Sequence, residues 1–99
     1  METFDEIISS PTPVLVDFYA TWCGPCKMMH PILEDLHAKM GDKARIVKID
    51  VDKNEALSQK YMVQSVPTLM IFKNGKQEWR GAGVHSAADL ERLLSAYVG

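Results

Sequence analysis

An α/β fold, with a mixed sheet flanked by helices on both faces, is the architecture this sequence predicts, and three observations carry that prediction. The apolar run Val14–Tyr19 is followed at Gly24 by a helical pattern reaching about Met40. A second strand-like run, Arg45–Val51, completes a βαβ order. Asn74-Gly75 separates Thr68–Phe72 from Gln77–Arg80, the signature of a two-residue hairpin whose central residues both take positive φ. Leu90, Leu93, Leu94 and Tyr97 then recur at helical spacing near the end of the chain. The resulting element order is αβαβαββα.

The boundaries follow from local chemistry. Thr3 and Glu6 have capping-box spacing, and Phe4, Ile7 and Ile8 give a short first helix over about Thr3–Ser9, stopped by Pro11 and Pro13. Val14–Tyr19 is apolar nearly throughout, which predicts burial on both faces. Gly41 closes the long helix, and Pro31 inside it predicts a kink, because proline cannot donate to the carbonyl one turn back. Asp52 or Asn54 is placed to cap a short helix ending near Tyr61. Ser86, with Asp89 three residues on, caps the last helix.

The chain has 99 residues, enough for one domain, residues 1–99, with its own core. A net charge of −2 offers no electrostatic attraction to nucleic acid or to an anionic membrane. No apolar stretch approaches the roughly 20 residues of a membrane span, and the acidic N-terminus lacks the pattern of a signal peptide. The expectation is a cytoplasmic protein without membrane or nucleic-acid partners.

Both cysteines fall in Trp22-Cys23-Gly24-Pro25-Cys26. Two thiols in one short motif, in a chain with no others, read as catalytic or metal-binding. Cys23 stands at the start of the long helix, where unpaired backbone N–H groups and the helix dipole favour a thiolate. Cys26 lies one turn further on the same side, within reach of a sulfur bonded to Cys23. Zinc would need about four ligands, and the chain has no second pair of cysteines. His30 and His37 on one helix would stand about 10 Å apart at about 1.5 Å per residue, too far to share an ion. No metal is expected. A purely structural disulfide is disfavoured too, since so small a loop restricts the unfolded chain little.

Asp17 is a carboxylate inside an apolar strand, expensive to bury unless neutral or paired. Either it faces water from an edge strand, or burial raises its pKa and leaves it able to take a proton. Met28, Met29, Met40, Met62 and Met70 are expected to fill the core. His30, His37 and His85 read as surface or helix-face residues, and Trp79 as sheet packing.

Ala20-Thr21-Trp22-Cys23-Gly24-Pro25-Cys26-Lys27-Met28 strongly resembles the active-site segment of the thioredoxin family. The likeness continues through Val16-Asp17-Phe18, Lys48 in Val47-Lys48-Ile49-Asp50, Val66-Pro67-Thr68, Phe72-Lys73-Asn74-Gly75 and Gly83. That family is a standard example of a lowered Cys-x-x-Cys thiol pKa. The resemblance implies a thioredoxin-like fold and a dithiol that reduces disulfides in protein substrates. It binds no cofactor beyond its own reversible Cys23–Cys26 disulfide, and is re-reduced by a thioredoxin reductase that uses NADPH. Cys23, Cys26, Asp17 and Lys48 are the implied catalytic set, with Asp17 accepting the Cys26 proton and Lys48 as its charged neighbour. Pro67 is implied to be cis and to face the dithiol. Trp22, Gly24, Pro25, Val66, Pro67, Thr68, Ala82 and Gly83 are implied to form the apolar substrate-binding surface.

Two departures from the family pattern carry expectations. Members usually begin with a further strand, and Met1–Ser10 has room for the helix alone. Four strands are therefore expected, in the order 2-1-3-4, with strands 1 and 2 parallel, strand 3 antiparallel to strand 1, and Arg45–Val51 at an exposed edge. A monomer is expected, with dimerisation through that edge as the alternative. Tyr19 takes the place of a second tryptophan.

Three other functions compete with the general disulfide reductase. They are an oxidase or isomerase on the same fold, a donor dedicated to one partner enzyme, and a non-catalytic binding subunit using the same apolar patch. Gly24-Pro25 argues against the first, because such enzymes commonly carry a histidine between the thiols. Cys23, Cys26 and Asp17 together argue against the last.

Overall fold

The computed structural model describes residues 2–99. Helix α1 (Phe4–Ile8) is capped as the sequence predicts. The Thr3 hydroxyl accepts from the Glu6 N–H at 3.2 Å, and the Glu6 carboxylate accepts from the Thr3 N–H at 3.2 Å. Strand β1 (Val14–Tyr19) leads into the 17-residue helix α2 (Gly24–Met40), which runs through Pro31 as one element. A single 3₁₀ turn at Gly41–Lys43 precedes β2 (Arg45–Asp50). Then come α3 (Glu55–Lys60), β3 (Thr68–Lys73), β4 (Lys76–Ala82) and α4 (Ala87–Ser95).

The sheet order is β2-β1-β3-β4, with β1 and β2 parallel and the other pairs antiparallel, as expected. Asn74 and Gly75 form the two-residue turn between β3 and β4 with φ of 54° and 82°. Arg45–Asp50 is an edge strand, and its end is held by a fork of two hydrogen bonds from Arg45 to Glu2 at 2.6 and 3.0 Å.

Alternation along β1 sorts the core into two halves. Leu15 points to the face covered by α2 and α4, among Met29, Leu33, Leu36, Leu69, Ile71, Leu90 and Leu94. Val14, Val16 and Phe18 point to the other face, among Ile8, Met70 and Phe72, with Phe4, Leu57 and Tyr61 packed around them. Asp17 shares the face of Leu15 and so lies beneath α2. Phe4, Phe72 and Tyr61 meet edge to face or tilted, with centroids 5.4 to 5.7 Å apart, so the short α1 is anchored by aromatic packing.

Several local expectations fail. Met29, Met40 and Met70 are buried, but Met28 and Met62 are exposed. Met28 falls on the outer face of α2. Met62 has a φ of 55°, a turn conformation that points its side chain away from the core. Neither candidate caps α3 through its side chain: the Asn54 amide donates to the Asp50 carbonyl at 2.9 Å, and the Asp52 carboxylate is engaged elsewhere. His85 is half-buried, its ring edge-on to Trp79 at 5.3 Å, rather than free at the surface.

Candidate functional site

Cys23 is the N-cap of α2, and Cys26 sits within its first turn. The two are joined as a disulfide with Cα atoms 5.3 Å apart. The Cys26 backbone N–H donates to the Cys23 Sγ at 3.1 Å, occupying one of the free donors of the helix start. Cys23 is 5% exposed and Cys26 1%, so Cys23 is the sulfur nearer the surface, though only narrowly open to it. Gly24 and Pro25 are exposed between them, with Pro25 in the first helical turn, where a missing N–H costs nothing.

The loop before β3 closes the site from the other side. The Val66–Pro67 peptide bond is cis, and the Val66 carbonyl oxygen lies 3.6 Å from the Cys23 Sγ. Gly83 has a φ of 86°, and its N–H donates to the Pro67 carbonyl at 2.9 Å, which ties the end of β4 to this loop. Ala82, exposed, is the register partner of Thr68. Pro67 is buried rather than lining the surface, and Thr68 departs from the expected surface as well. It is buried, and its hydroxyl donates to the Ser65 carbonyl at 2.6 Å, so it braces the loop from within instead of lining the surface.

Trp22 is 70% exposed, which excludes a core role. Its indole Nε1–H donates to the Asp52 carboxylate at 2.9 Å. The ring walls a cavity of about 360 Å³, lined also by Val51, Val63, Gln64, Ser65 and Val66. Val63–Ser65 directly precede Val66 and could have been included with it. Asp52 lies 30 residues from Trp22 and gave no local signal.

Asp17 is 0% exposed, and neither carboxylate oxygen has a hydrogen-bond partner among the described residues. Burial pushes its pKa from 3.8 up to about 6, against a downward pull from the Lys48 charge. Asp17 and Lys48 are register partners on β1 and β2. Lys48 nonetheless bonds elsewhere, its Nζ lying 2.7 Å from the Nδ1 of His30 on α2. His30, read from the sequence as a bare helix-face residue, also meets the Tyr19 ring edge-on at 6.0 Å. Among the described residues no three His, Cys, Asp or Glu side chains are grouped to hold a metal.

A βαβ unit joined to a hairpin, carrying a closable dithiol at a helix start, defines a thiol–disulfide oxidoreductase. The thioredoxin family profile matches residues 1–96. A thioredoxin-like protein of Synechocystis is 50% identical over 96 residues, covering 96% of this chain and 91% of its own. The thioredoxin of Bacillus subtilis is 47% identical over 97 residues, covering 95% and 93%. A solved mutant thioredoxin from Halobacterium salinarum superposes with a TM-score of 0.88 at 41% identity, over 96% of this chain and 82% of that one. The chain belongs to the thioredoxin family.

Proposed function

We propose that this protein is a general reductant of protein disulfides, with Cys23 as nucleophile and Cys26 as resolving thiol. The Cys23 thiolate attacks one sulfur of a substrate disulfide, forming a mixed disulfide and expelling the first substrate thiolate. Asp17 takes the Cys26 proton, and the Cys26 thiolate then attacks the Cys23 Sγ. That closes the Cys23–Cys26 disulfide, expels the second substrate thiolate and delivers two electrons in all. The observation that carries this reading is the position of Cys23, at the N-cap of α2 with its Sγ 3.6 Å from the Val66 carbonyl and Trp22 beside it. A substrate segment can lie along Val66, Pro25 and Ala82, with the Trp22 cavity taking an apolar side chain. Lys48 is read as the charge that modulates Asp17.

Return to the dithiol state is assigned to a thioredoxin reductase drawing on NADPH. Support comes from a Mycobacterium leprae protein named as a bifunctional thioredoxin reductase/thioredoxin, 42% identical to this chain over 95 residues, which cover 96% of this chain and 21% of that one. Chemistry of this kind suits a reducing compartment such as the cytoplasm. No helix among the described residues is long and apolar enough to cross a membrane. The test is reduction of insulin disulfides with NADPH and thioredoxin reductase. Turnover is expected with the native chain and absent with Cys23→Ser, whereas turnover surviving in Cys23→Ser would sink the assignment.

A further inference from the structure

Lys48 has two neighbours it could serve. Asp17 stands directly across from it on β1, and His30 reaches it from α2 at 2.7 Å. An ammonium only donates, so Nδ1 of His30 must be the lone-pair nitrogen, which leaves the ring neutral with its proton on Nε2. We propose that His30 is a positioning residue of the redox site: it captures the Lys48 ammonium and keeps that charge off the Asp17 carboxylate. The inference rests on the reading of Asp17 as proton acceptor and adds the device that sets its proton affinity.

The geometry supports this on three counts. Neither oxygen of Asp17 has a partner among the described residues, although a lysine is its register neighbour. The imidazole is held edge-on by Tyr19, which shares the face of Asp17 on β1, so its orientation is set by packing. The other titratable groups around Lys48 are Glu34 and His37 on α2, which line with it a cavity of about 280 Å³. Beside Asp17 itself are Lys48, its register partner on β2, and the uncharged Leu69, its partner on β3. Without the His30 acceptor the Lys48 ammonium is free to swing toward Asp17, its register partner. The presence of the imidazole is thereby coupled to the ease with which Asp17 gives up its proton.

The experiment is a double-mutant cycle read by NMR titration of the Asp17 carboxyl carbon in the reduced protein, beside the pH profile of mixed-disulfide resolution. His30→Ala should lower the Asp17 midpoint by about one pH unit, the shift expected when a unit charge moves from ~6 to ~4 Å at an effective dielectric of ~20. The midpoint should return in His30→Asn, whose side-chain oxygen can stand where Nδ1 stood. In a Lys48→Ala background, His30→Ala should move nothing. An unchanged midpoint in His30→Ala, or the same shift with Lys48 absent, would overturn the proposal. The role of Asp17 is separately exposed: if Asp17→Asn resolves mixed disulfides with the native pH profile, the proton-acceptor reading fails, whatever the titration shows for His30.

Discussion

The backbone N–H of Cys26 donates to the sulfur of Cys23 at 3.1 Å. A helix start thus points one of its own unpaired donors at the atom that would carry negative charge in the reduced protein. Such a donor favours the thiolate over the thiol, and the two cysteines acquire different work from their positions alone.

That asymmetry predicts different trapping behaviour. Cys26→Ser should accumulate covalent adducts with protein substrates, because the mixed disulfide has no resolving thiol. Cys23→Ser should accumulate none. Non-reducing gels and mass spectrometry of a disulfide substrate incubated with each variant check this, and equal trapping by both would reverse or remove the assignment.

Asp17 makes stability depend on pH. Its folded pKa of about 6 lies above the ordinary 3.8, so the native state holds the proton more tightly than the unfolded chain. Stability contributed by this group is full below about pH 4 and is lost as pH rises through about 6. The gap between those two values corresponds to on the order of 3 kcal/mol. Asp17→Ala should therefore gain on the native protein by about that amount between pH 4 and pH 7, measured by urea unfolding at each pH. Resolution of mixed disulfides should quicken through the same interval in the native protein, as the carboxylate ionises and can accept a proton.

Trp22 offers a large apolar face beside the dithiol while Asp52 fixes its ring. Trp22→Ala should raise KM for a protein disulfide about tenfold, the loss of an exposed aromatic anchor worth ~1.4 kcal/mol. Reduction of a small aromatic disulfide, which needs no docking surface, should change far less. Equal losses on both substrates would show that the indole supports the dithiol and not the docking.

Gly81 tests packing away from the chemistry. A Cβ added there would lie 2.6 and 2.7 Å from two atoms of the Trp79 ring and 3.2 Å from His85. Gly81→Ala should destabilise by about 1–3 kcal/mol through this overlap, seen as a lower urea midpoint with an unchanged slope.

Much of this architecture could be read in the sequence because its signals are short-range. A capping box spans three residues, a hairpin turn two, and the alternation of Val14–Tyr19 needs only the strand itself. The pairing of the thiols was equally local. Harder positions were those whose surroundings come from distant segments. The family resemblance implies a surface position for Thr68, yet its hydroxyl turns inward to Ser65. Met62 looked like core by composition, and a positive φ carries it outward.

From residue order alone came the element sequence, the four-stranded topology and a closable dithiol at a helix start, each set by backbone preference and hydrophobic period over a few residues. Tertiary packing decided the rest. It buried Asp17 without a partner, gave the Lys48 ammonium to His30 and fastened Trp22 to Asp52. Those choices join residues 18 and 30 positions apart. They depend on how α2 lies over the sheet, because a buried charge responds to whatever the fold brings within a few ångströms and not to its neighbours along the chain.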